Sequence, residues 1–280
     1  HPMSQPAASP LLPTIAFIGG GNMASAIIGG LIHQGHPASQ IEVVEPWAEA
    51  REALRKNYGI EAQAEAGPAL QRAQIVVWAV KPQTFRDAAA QAKAHTQGAL
   101  HLSVAAGIRS DSIAQWLGTE RIVRTMPNTP ALVGKGMSAL YARPAVSAPE
   151  RQSIEAIMAT TGEFLWVDSE PQLDAVTALS GSGPAYVFYF LEAMTRAGTD
   201  MGLTAAQAHQ LAVGTFVGAS ELARRSDETP AVLRQRVTSK GGTTYAALQS
   251  MERDAVAEKF MQAMQAARQR AHELGDEFGK

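Results

Sequence analysis

The first residues with a recognisable chemical role form a glycine-rich turn, GGGNMA, at positions 19–24. The turn has the G-x-G-x-x-A pattern and leads from the apolar run TIAFIG into a segment with helical periodicity. In this pattern Gly19 permits a tight turn, Gly21 lets the backbone approach a pyrophosphate, and Ala24 packs the helix against the strand. A flexible turn could carry the same glycines, but the position between a strand and a helix favours a dinucleotide site. Its predicted phosphate-binding residues are Gly19, Gly20, Gly21, Asn22, Met23 and Ala24.

Glu45 ends the second apolar run, IEVVE, where a Rossmann fold places the group that contacts the adenosine ribose. A carboxylate there would accept hydrogen bonds from the ribose hydroxyls and would repel a 2′-phosphate. A solvated glutamate at a strand end is the alternative interpretation. Arg51 in the following segment leaves the choice between NADH and NADPH open.

Three further segments follow apolar runs, at the edge of the predicted sheet where open α/β folds bind ligands. Lys81, between Val80 and Pro82, suits a contact to the cofactor ribose or phosphates, although a surface lysine is equally compatible. Ala105 and its small neighbours would leave room for a nicotinamide ring or would pack tightly. Asn128 can both donate and accept hydrogen bonds in a rigid loop with two prolines. These segments extend the predicted cofactor site by Val80, Lys81, Pro82, Ala105 and Asn128.

The elements that position these residues follow from the hydrophobic pattern. As far as about Leu140, short apolar runs alternate with helix-period segments, which is typical of βαβ units around a parallel sheet. A capping box at 147–150 predicts a helix over 148–161, and FLWVD predicts a last strand at 164–168. After Asp168 almost every segment has a helical pattern, including 183–197, 205–225 and 254–278.

The predicted fold is therefore an α/β Rossmann dinucleotide-binding domain followed by an all-helical dimerisation domain. We expect a disordered arm with a vector residue at 1–13, a Rossmann NAD(P)-binding domain at 14–168, and a helical dimerisation and substrate-binding domain at 169–280. Gly214 and Gly218 lie on one face of a predicted helix, which indicates close approach of another helix of the same or a second subunit.

Composition excludes several function classes. The chain has 280 residues with 24 basic and 26 acidic side chains, so it lacks the positive charge of a nucleic-acid-binding protein. It contains no cysteine, and its 7 histidines lack zinc-ligand spacing, so we expect no metal site. No segment resembles a membrane span or a signal peptide, and we expect a cytoplasmic protein without a membrane partner.

The helical half contains a second candidate site, the loop VTSKGGTT at 237–244. Two glycines among hydroxyl residues at the start of a helix form a backbone nest that suits an anion such as a carboxylate. An ordinary N-capped loop is the alternative interpretation.

Taken together, these segments resemble pyrroline-5-carboxylate reductase, the last enzyme of proline synthesis. The matching segments occur in the family's order and span about 15–275: FIGGGNMA (17–24), AVKPQ (79–83), SVAAGI (103–108), MPNTPALVGKGM (126–137), SGSGPAYVF (180–188) and VTSKGGTT (237–244). The resemblance implies reduction of the cyclic imine 1-pyrroline-5-carboxylate to L-proline by NADPH or NADH. It also implies a homodimer, which in this family often assembles into a decamer.

The resemblance also implies roles for the loop residues. The backbone of Ser239, Gly242 and Thr243, in the loop that includes Gly241, would hold the substrate carboxylate. The Thr244 hydroxyl would bond the ring nitrogen, which makes Thr244 the predicted catalytic residue. Two positions depart from the family pattern: Lys240 replaces a proline, and Glu45 stands where other members place serine or arginine for NADP.

Two other functions fit part of the sequence. A β-hydroxyacid dehydrogenase has a similar two-domain layout, but it places a catalytic lysine on the first helix of its second domain. The corresponding segment here, GSGPAYVFYFLEAMTRAG, contains neither lysine nor histidine. Reduction of a protonated imine needs no such acid, because it gives a neutral amine directly. A nucleotide-sensing module without turnover would be favoured by a degenerate substrate loop, and this loop is intact.

Overall fold

The computed structural model describes residues 12–280, so the arm predicted at 1–13 lies almost entirely outside the described residues. The first part of the chain forms one seven-stranded sheet in the order β2-β1-β3-β4-β5-β6-β7. The strands are β1 (Ile15–Ile18), β2 (Ile41–Val44), β3 (Ile75–Trp78), β4 (Leu100–Ser103), β5 (Ile122–Met126), β6 (Gly136–Ala142) and β7 (Gly162–Trp166).

The central strands are apolar on both faces because helices cover both sides of the sheet. Ile15 and Phe17 of β1 belong to one buried cluster, and Ala16 and Ile18 belong to the other. Successive side chains of a strand point to opposite faces, so the clusters are the two cores of a three-layer fold. The predicted Rossmann architecture is confirmed.

Six α-helices belong to this part of the described chain: α1 (Asn22–His33), α2 (Ala48–Tyr58), α3 (Phe85–Ala92), α4 (Ser110–Leu117), α5 (Ala148–Ala159) and α6 (Gln172–Val176). Helices α1, α2 and α5 pack on the cluster of Phe17, whereas α3 and α4 pack on the cluster of Ile18. The capping box at the start of α5 is confirmed, since Ser147 Oγ accepts from the Glu150 N–H and a Glu150 oxygen accepts from the Ser147 N–H.

Strand β6 was not predicted as a separate strand. It pairs antiparallel with β5 and parallel with β7, whereas the other neighbouring strands are parallel. Its sequence, GMSALYA, combines small and polar residues with apolar ones and lacks the continuous apolar run of a central strand. Pairing with two neighbours stabilises it more than its intrinsic strand propensity does.

The remaining helices are α7 (Gly183–Asp200), α8 (Ala205–Arg225), α9 (Pro230–Arg236), α10 (Thr243–Arg253) and α11 (Val256–Phe278). They confirm the helical character predicted after Asp168. Tyr186 and Phe190 of α7 each pack edge-on against Phe260 of α11, at ring-centroid distances of 5.4 and 5.7 Å. No helix in the part of the chain from residue 12 onward is long and apolar enough to cross a membrane.

The chain divides into two compact units. The first unit ends at Gly181 and also includes Ala267–Lys280, and the second is Ser182–Ala266. This division differs from the predicted change at residue 168, because contacts rather than composition define a compact unit. Residues after 168 still pack on the sheet: Leu173 is 1% exposed, and Glu170 pairs with Arg124 of β5 at 2.8 Å. Burial raises the pKa of Glu170, but Arg124 and the hydrogen bonds from Ser110 outweigh it and hold this pKa below its usual value.

The C-terminal residues of α11 return to the first unit. Gly107 has a φ of +77°, and a Cβ there would lie 2.5 Å from the carbonyl oxygen of Ala271. Arg109 donates to the carbonyl oxygen of His272 at 3.1 Å and pairs with Asp276 at 2.9 Å. A glycine at 107 is therefore needed for the close approach of this helix.

Candidate active site

The glycine-rich turn lies at the carboxyl edge of the sheet, where β1, β2 and β3 end. The Gly19 N–H donates to the Val44 carbonyl at 2.8 Å, and Gly19 has a φ of +100°. A Cβ on Gly19 would lie 2.2 Å from the Ala79 carbonyl oxygen, so any other residue would displace the backbone after β3. This close packing fixes the turn as the sequence pattern predicts.

The start of α1 is open to an anion. Gly21 is the N-cap, no side chain caps the helix, and the first turn contains no acidic residue. Apart from the two adjacent residues, no atom of residues 12–280 lies within 4 Å of the place where a Gly21 Cβ would be. Gly21 and Asn22 are exposed, Met23 is half-buried, and Ala24 is fully buried against the sheet. The free N–H groups and the open space fit the pyrophosphate of a dinucleotide.

The Glu45 side chain is directed to this turn. Its Oε1 accepts from the Gly20 N–H at 3.3 Å, and its Oε2 accepts from the Trp47 N–H at 3.2 Å. Arg51 does not bond the carboxylate but donates to the carbonyl oxygens of Glu45 and Pro46. Glu45 is therefore placed beside the turn where the fold brings the adenosine ribose.

The predicted residues after β3 lie beside the turn or at the surface. A side-chain carbon of Val80 is 3.4 Å from the place of a Gly19 Cβ, so Val80 contacts the turn. Pro82 begins a short 3-10 turn, and Lys81 before it is exposed and free to reach a ligand. These positions keep Val80, Lys81 and Pro82 available as predicted cofactor contacts.

Ala105 and Asn128 have partners within the fold. Ala105 is 5% exposed and packs in the core, and its N–H donates to the Ser103 hydroxyl at 3.2 Å. The Asn128 amide donates to the Ser180 carbonyl at 3.1 Å, while its oxygen accepts from the Met137 N–H at 2.9 Å. Both residues shape the loops at this edge of the sheet, and their contact with a cofactor stays a prediction.

The second candidate site is the loop before α10, in the second compact unit. Gly242 is the N-cap of α10, and no side chain caps this helix. Gly241 has a φ of +77°, and the Gly242 N–H donates to the Ser239 carbonyl at 2.9 Å. The Gly242 N–H is therefore used inside the loop, and the N–H groups of Thr243 and Thr244 are left for an anion.

The structure brings each predicted set together within its own unit. The turn, Glu45 and Val80 come together in the first unit, while Ser239, Gly241, Gly242, Thr243 and Thr244 form one turn in the second. Thr244 is half-buried at the second position of α10, so it is not the N-cap. Between residues 12 and 280 no group of three or more histidine, cysteine, aspartate or glutamate side chains could hold a metal ion.

The structure has a groove, bordered by Pro46 after Glu45, that the sequence pattern does not predict. Its volume is 630 Å³, and it is lined by Pro46, Ala64, Glu65, Ala66 and Gln91. Trp47, which follows Pro46, is 62% exposed. The lining of the groove comes from three separate segments of the chain, so no local sequence pattern indicates it.

Comparisons with known proteins agree with the order of the two parts of the chain. A family model described as pyrroline-5-carboxylate reductase dimerisation matches residues 170–274, and one described as NADP oxidoreductase coenzyme F420-dependent matches residues 14–107. The pyrroline-5-carboxylate reductase of Pseudomonas aeruginosa is 44% identical over 270 residues, which cover 96% of this chain and 99% of that protein.

Two solved structures show the same architecture over nearly the whole chain. A pyrroline-5-carboxylate reductase from Coxiella burnetii has a TM-score of 0.84 and 37% identity, covering 94% of this chain and 98% of its own. The Plasmodium falciparum pyrroline carboxylate reductase, solved with NADP bound, has a TM-score of 0.86 and 27% identity, with the same coverage of 94% and 98%.

Proposed function

Because the chain belongs to the pyrroline-5-carboxylate reductase family, we propose how its own residues carry out the reduction of 1-pyrroline-5-carboxylate to L-proline. The protein is an NAD(P)H-dependent oxidoreductase that acts on a small-molecule substrate and oligomerises. The observation that carries the assignment of its site is the glycine N-cap, without a side-chain hydrogen bond, at both α1 and α10.

The first helix start holds the cofactor. The N–H groups at the start of α1 bind the pyrophosphate, Ala24 keeps the helix against the sheet, and Glu45 faces the adenosine ribose. When bound, the reduced nicotinamide supplies the hydride. Val80, Lys81, Pro82, Ala105 and Asn128 are proposed to line the remaining cofactor site at the carboxyl edge of the sheet.

The second helix start holds the substrate. The loop backbone of Ser239, Gly241, Gly242 and Thr243 surrounds the carboxylate. The N–H groups of Thr243 and Thr244 donate to it, because the Gly242 N–H donates to the Ser239 carbonyl. The Thr244 hydroxyl accepts a hydrogen bond from the protonated ring nitrogen. Hydride addition to the imine carbon moves the electron pair of the C=N bond onto that nitrogen, which becomes a neutral amine. Catalysis by the protein is then mainly a matter of orientation, and no general acid is required.

The proposal also assigns a role to each of the two domains predicted from the sequence. We assign cofactor binding to residues 14–168 and dimerisation with substrate binding to residues 169–280, in keeping with the family matches at 14–107 and 170–274. We further propose a homodimer that assembles into a decamer in the cytoplasm. Leu132 and Val133 are 56% and 75% exposed outside the matched dimerisation segment, and they offer an apolar surface for contact between dimers.

The test is a reductase assay on the purified full chain. Oxidation of NADH and NADPH is followed by absorbance with 1-pyrroline-5-carboxylate, and L-proline is identified by chromatography. A small β-hydroxyacid with the oxidised coenzymes serves as the competing substrate. We expect proline to form in step with coenzyme oxidation. Turnover of the hydroxyacid without any proline formation would overturn the proposal.

A further inference from the structure

The Glu45 carboxylate is fixed in orientation against the glycine-rich turn. Its two oxygens accept from different backbone donors, Gly20 N–H at 3.3 Å and Trp47 N–H at 3.2 Å. Each carboxylate oxygen has two acceptor positions, so each can still accept from a ligand hydroxyl. The side chain is thus a pre-oriented acceptor at the end of β2.

The basic residue nearest in sequence does not offset this charge. Arg51 Nη1 donates to the Glu45 carbonyl at 3.0 Å and to the Pro46 carbonyl at 2.7 Å. Over residues 12–280, no ion pair joins Arg51 to the Glu45 carboxylate. A guanidinium is the side chain best suited to a phosphate, and Nη1 of this one already donates to two backbone oxygens.

The groove bordered by Pro46, the residue after Glu45, has an acidic side chain and no basic one in its lining. Of its lining residues, Pro46, Ala64, Glu65, Ala66 and Gln91, only Glu65 is charged, and it is exposed. The loop is held along β2, because Gln63 exchanges backbone hydrogen bonds of 2.8 Å with Val43 and Glu45. The groove, with a volume of 630 Å³, has room for an adenosine.

We propose that Glu45 selects a coenzyme whose adenosine ribose carries free hydroxyls, so that this enzyme prefers NADH to NADPH. The inference rests on the proposed function, because it concerns the cofactor of that same site. Ribose hydroxyls donate to the oriented carboxylate, whereas a 2′-phosphate brings negative charge against Glu45, and the lining of the neighbouring groove has no basic side chain to offset it.

The test measures coenzyme preference in two independent ways on the full-length protein. One is kcat/KM for NADH and NADPH with 1-pyrroline-5-carboxylate, and the other is the Kd of each coenzyme from protein fluorescence without substrate. Both are measured for the wild type, Glu45→Gln and Glu49→Gln. Glu49 is an exposed glutamate in the first turn of α2 and provides the matched control.

The wild type should favour NADH by about tenfold or more in both measurements, since like charges in contact weaken binding strongly. Glu45→Gln should reduce this ratio by about fivefold or more, through a lower KM for NADPH with little change in kcat. Glu49→Gln should keep the wild-type ratio. Melting curves show whether each variant is folded, and Glu45→Ser replaces Glu45→Gln if the latter is not.

The inference is overturned if the wild type binds NADPH as tightly as NADH, or if the folded Glu45 variant keeps the wild-type ratio. Failure of the proposed function looks different. In that case NADH still binds better than NADPH and Glu45→Gln still shifts the ratio of Kd values, but 1-pyrroline-5-carboxylate is not reduced.

Discussion

Thr244 occupies the second position of α10, and its hydroxyl does not cap that helix. Two interpretations of this residue were open from the sequence, a substrate ligand and an ordinary N-cap. The N-cap is Gly242, and no side chain caps the helix, so the structure removes the simple helix-capping role for Thr244. Its substrate role stays a prediction that kinetics can test.

We therefore expect Thr244→Val to lower kcat/KM by about ten- to a hundredfold, because a hydrogen bond to a charged group contributes about 1.5–3 kcal/mol. The melting temperature should stay close to that of the wild type, since no cap is lost. Thr243→Val is the matched control, because the adjacent exposed threonine is proposed to act through its backbone alone. A near-normal rate for Thr244→Val would leave substrate orientation to the backbone.

His101 is a buried histidine in β4, and its ring takes part in a hydrogen bond between neighbouring strands. It is 1% exposed, and its Nδ1 accepts from Trp78 Nε1 of β3 at 3.0 Å. Burial lowers the pKa of His101 to about 4 from its ordinary value of 6.5, and the positive charge of Arg121 adds to this. The neutral ring is the form that fits the folded protein.

Because the pKa of His101 is lower in the folded protein, the free energy of unfolding decreases as the pH falls. Between pH 6.5 and about pH 4 the unfolded chain binds a proton at His101 that the folded protein excludes. The free energy of unfolding should therefore fall by about 2 kcal/mol from pH 7 to pH 5 through this residue. Urea denaturation at both pH values, on the wild type and on His101→Gln, measures it. An equal decrease in the free energy of unfolding for the two proteins would show that His101 does not contribute to the pH dependence of stability.

At the scale of elements, the sequence predicts the strands with continuous apolar runs and the helices with capping residues. It does not predict strand β6 or the surface on which α11 packs. GMSALYA forms a strand because two neighbours pair with it, and pairing partners are not visible in a local pattern. The periodicity of α11 indicates an apolar face but not the surface on which it packs. The small residues at 103–107 allowed either a nicotinamide or tight packing, and at Gly107 the structure shows packing by α11.

The contact of α11 with Gly107 gives a prediction for stability. Gly107→Ala combines a positive φ of +77° with a Cβ placed 2.5 Å from the Ala271 carbonyl and 2.7 Å from the Leu274 side chain. We expect a loss of about 2 kcal/mol or more in the free energy of unfolding. Gly98→Ala is the control, because its φ is not in the left-handed region and, apart from the adjacent residues, nothing in the described chain lies within 4 Å of the new Cβ. Equal denaturation midpoints for the two variants would contradict the role of Gly107.

At the scale of the whole molecule, the helices of the second unit leave large apolar side chains uncovered. Phe188, Tyr189, Val217 and Leu222 are each between 62% and 71% exposed. Apolar surface of this extent on a helical unit is typical of an association surface. It agrees with the match of residues 170–274 to a dimerisation family and with the oligomerisation that this match supports.

Gly214 and Gly218 of α8 make this surface testable. Among residues 12–280, nothing beyond the adjacent residues and the backbone of α8 itself lies within 4 Å of the Cβ position of either glycine, so these described residues do not require a glycine there. If they allow close approach of a partner's helix, replacing both with leucine should block assembly. Leucine has a higher helix propensity than glycine by roughly 1 kcal/mol per residue, so α8 itself should not be weakened.

We expect the wild type to sediment as a dimer or larger at micromolar concentration, with no stable active monomer of 29.7 kDa. The Gly214→Leu/Gly218→Leu variant should shift toward the monomer and lose activity, while its helical circular dichroism is kept. Gly67→Leu, at a glycine of the first unit with open space around it, should sediment like the wild type. A leucine double variant that assembles normally would place the dimer contact elsewhere on the second unit. A wild-type monomer with full activity would show that neither unit needs a partner.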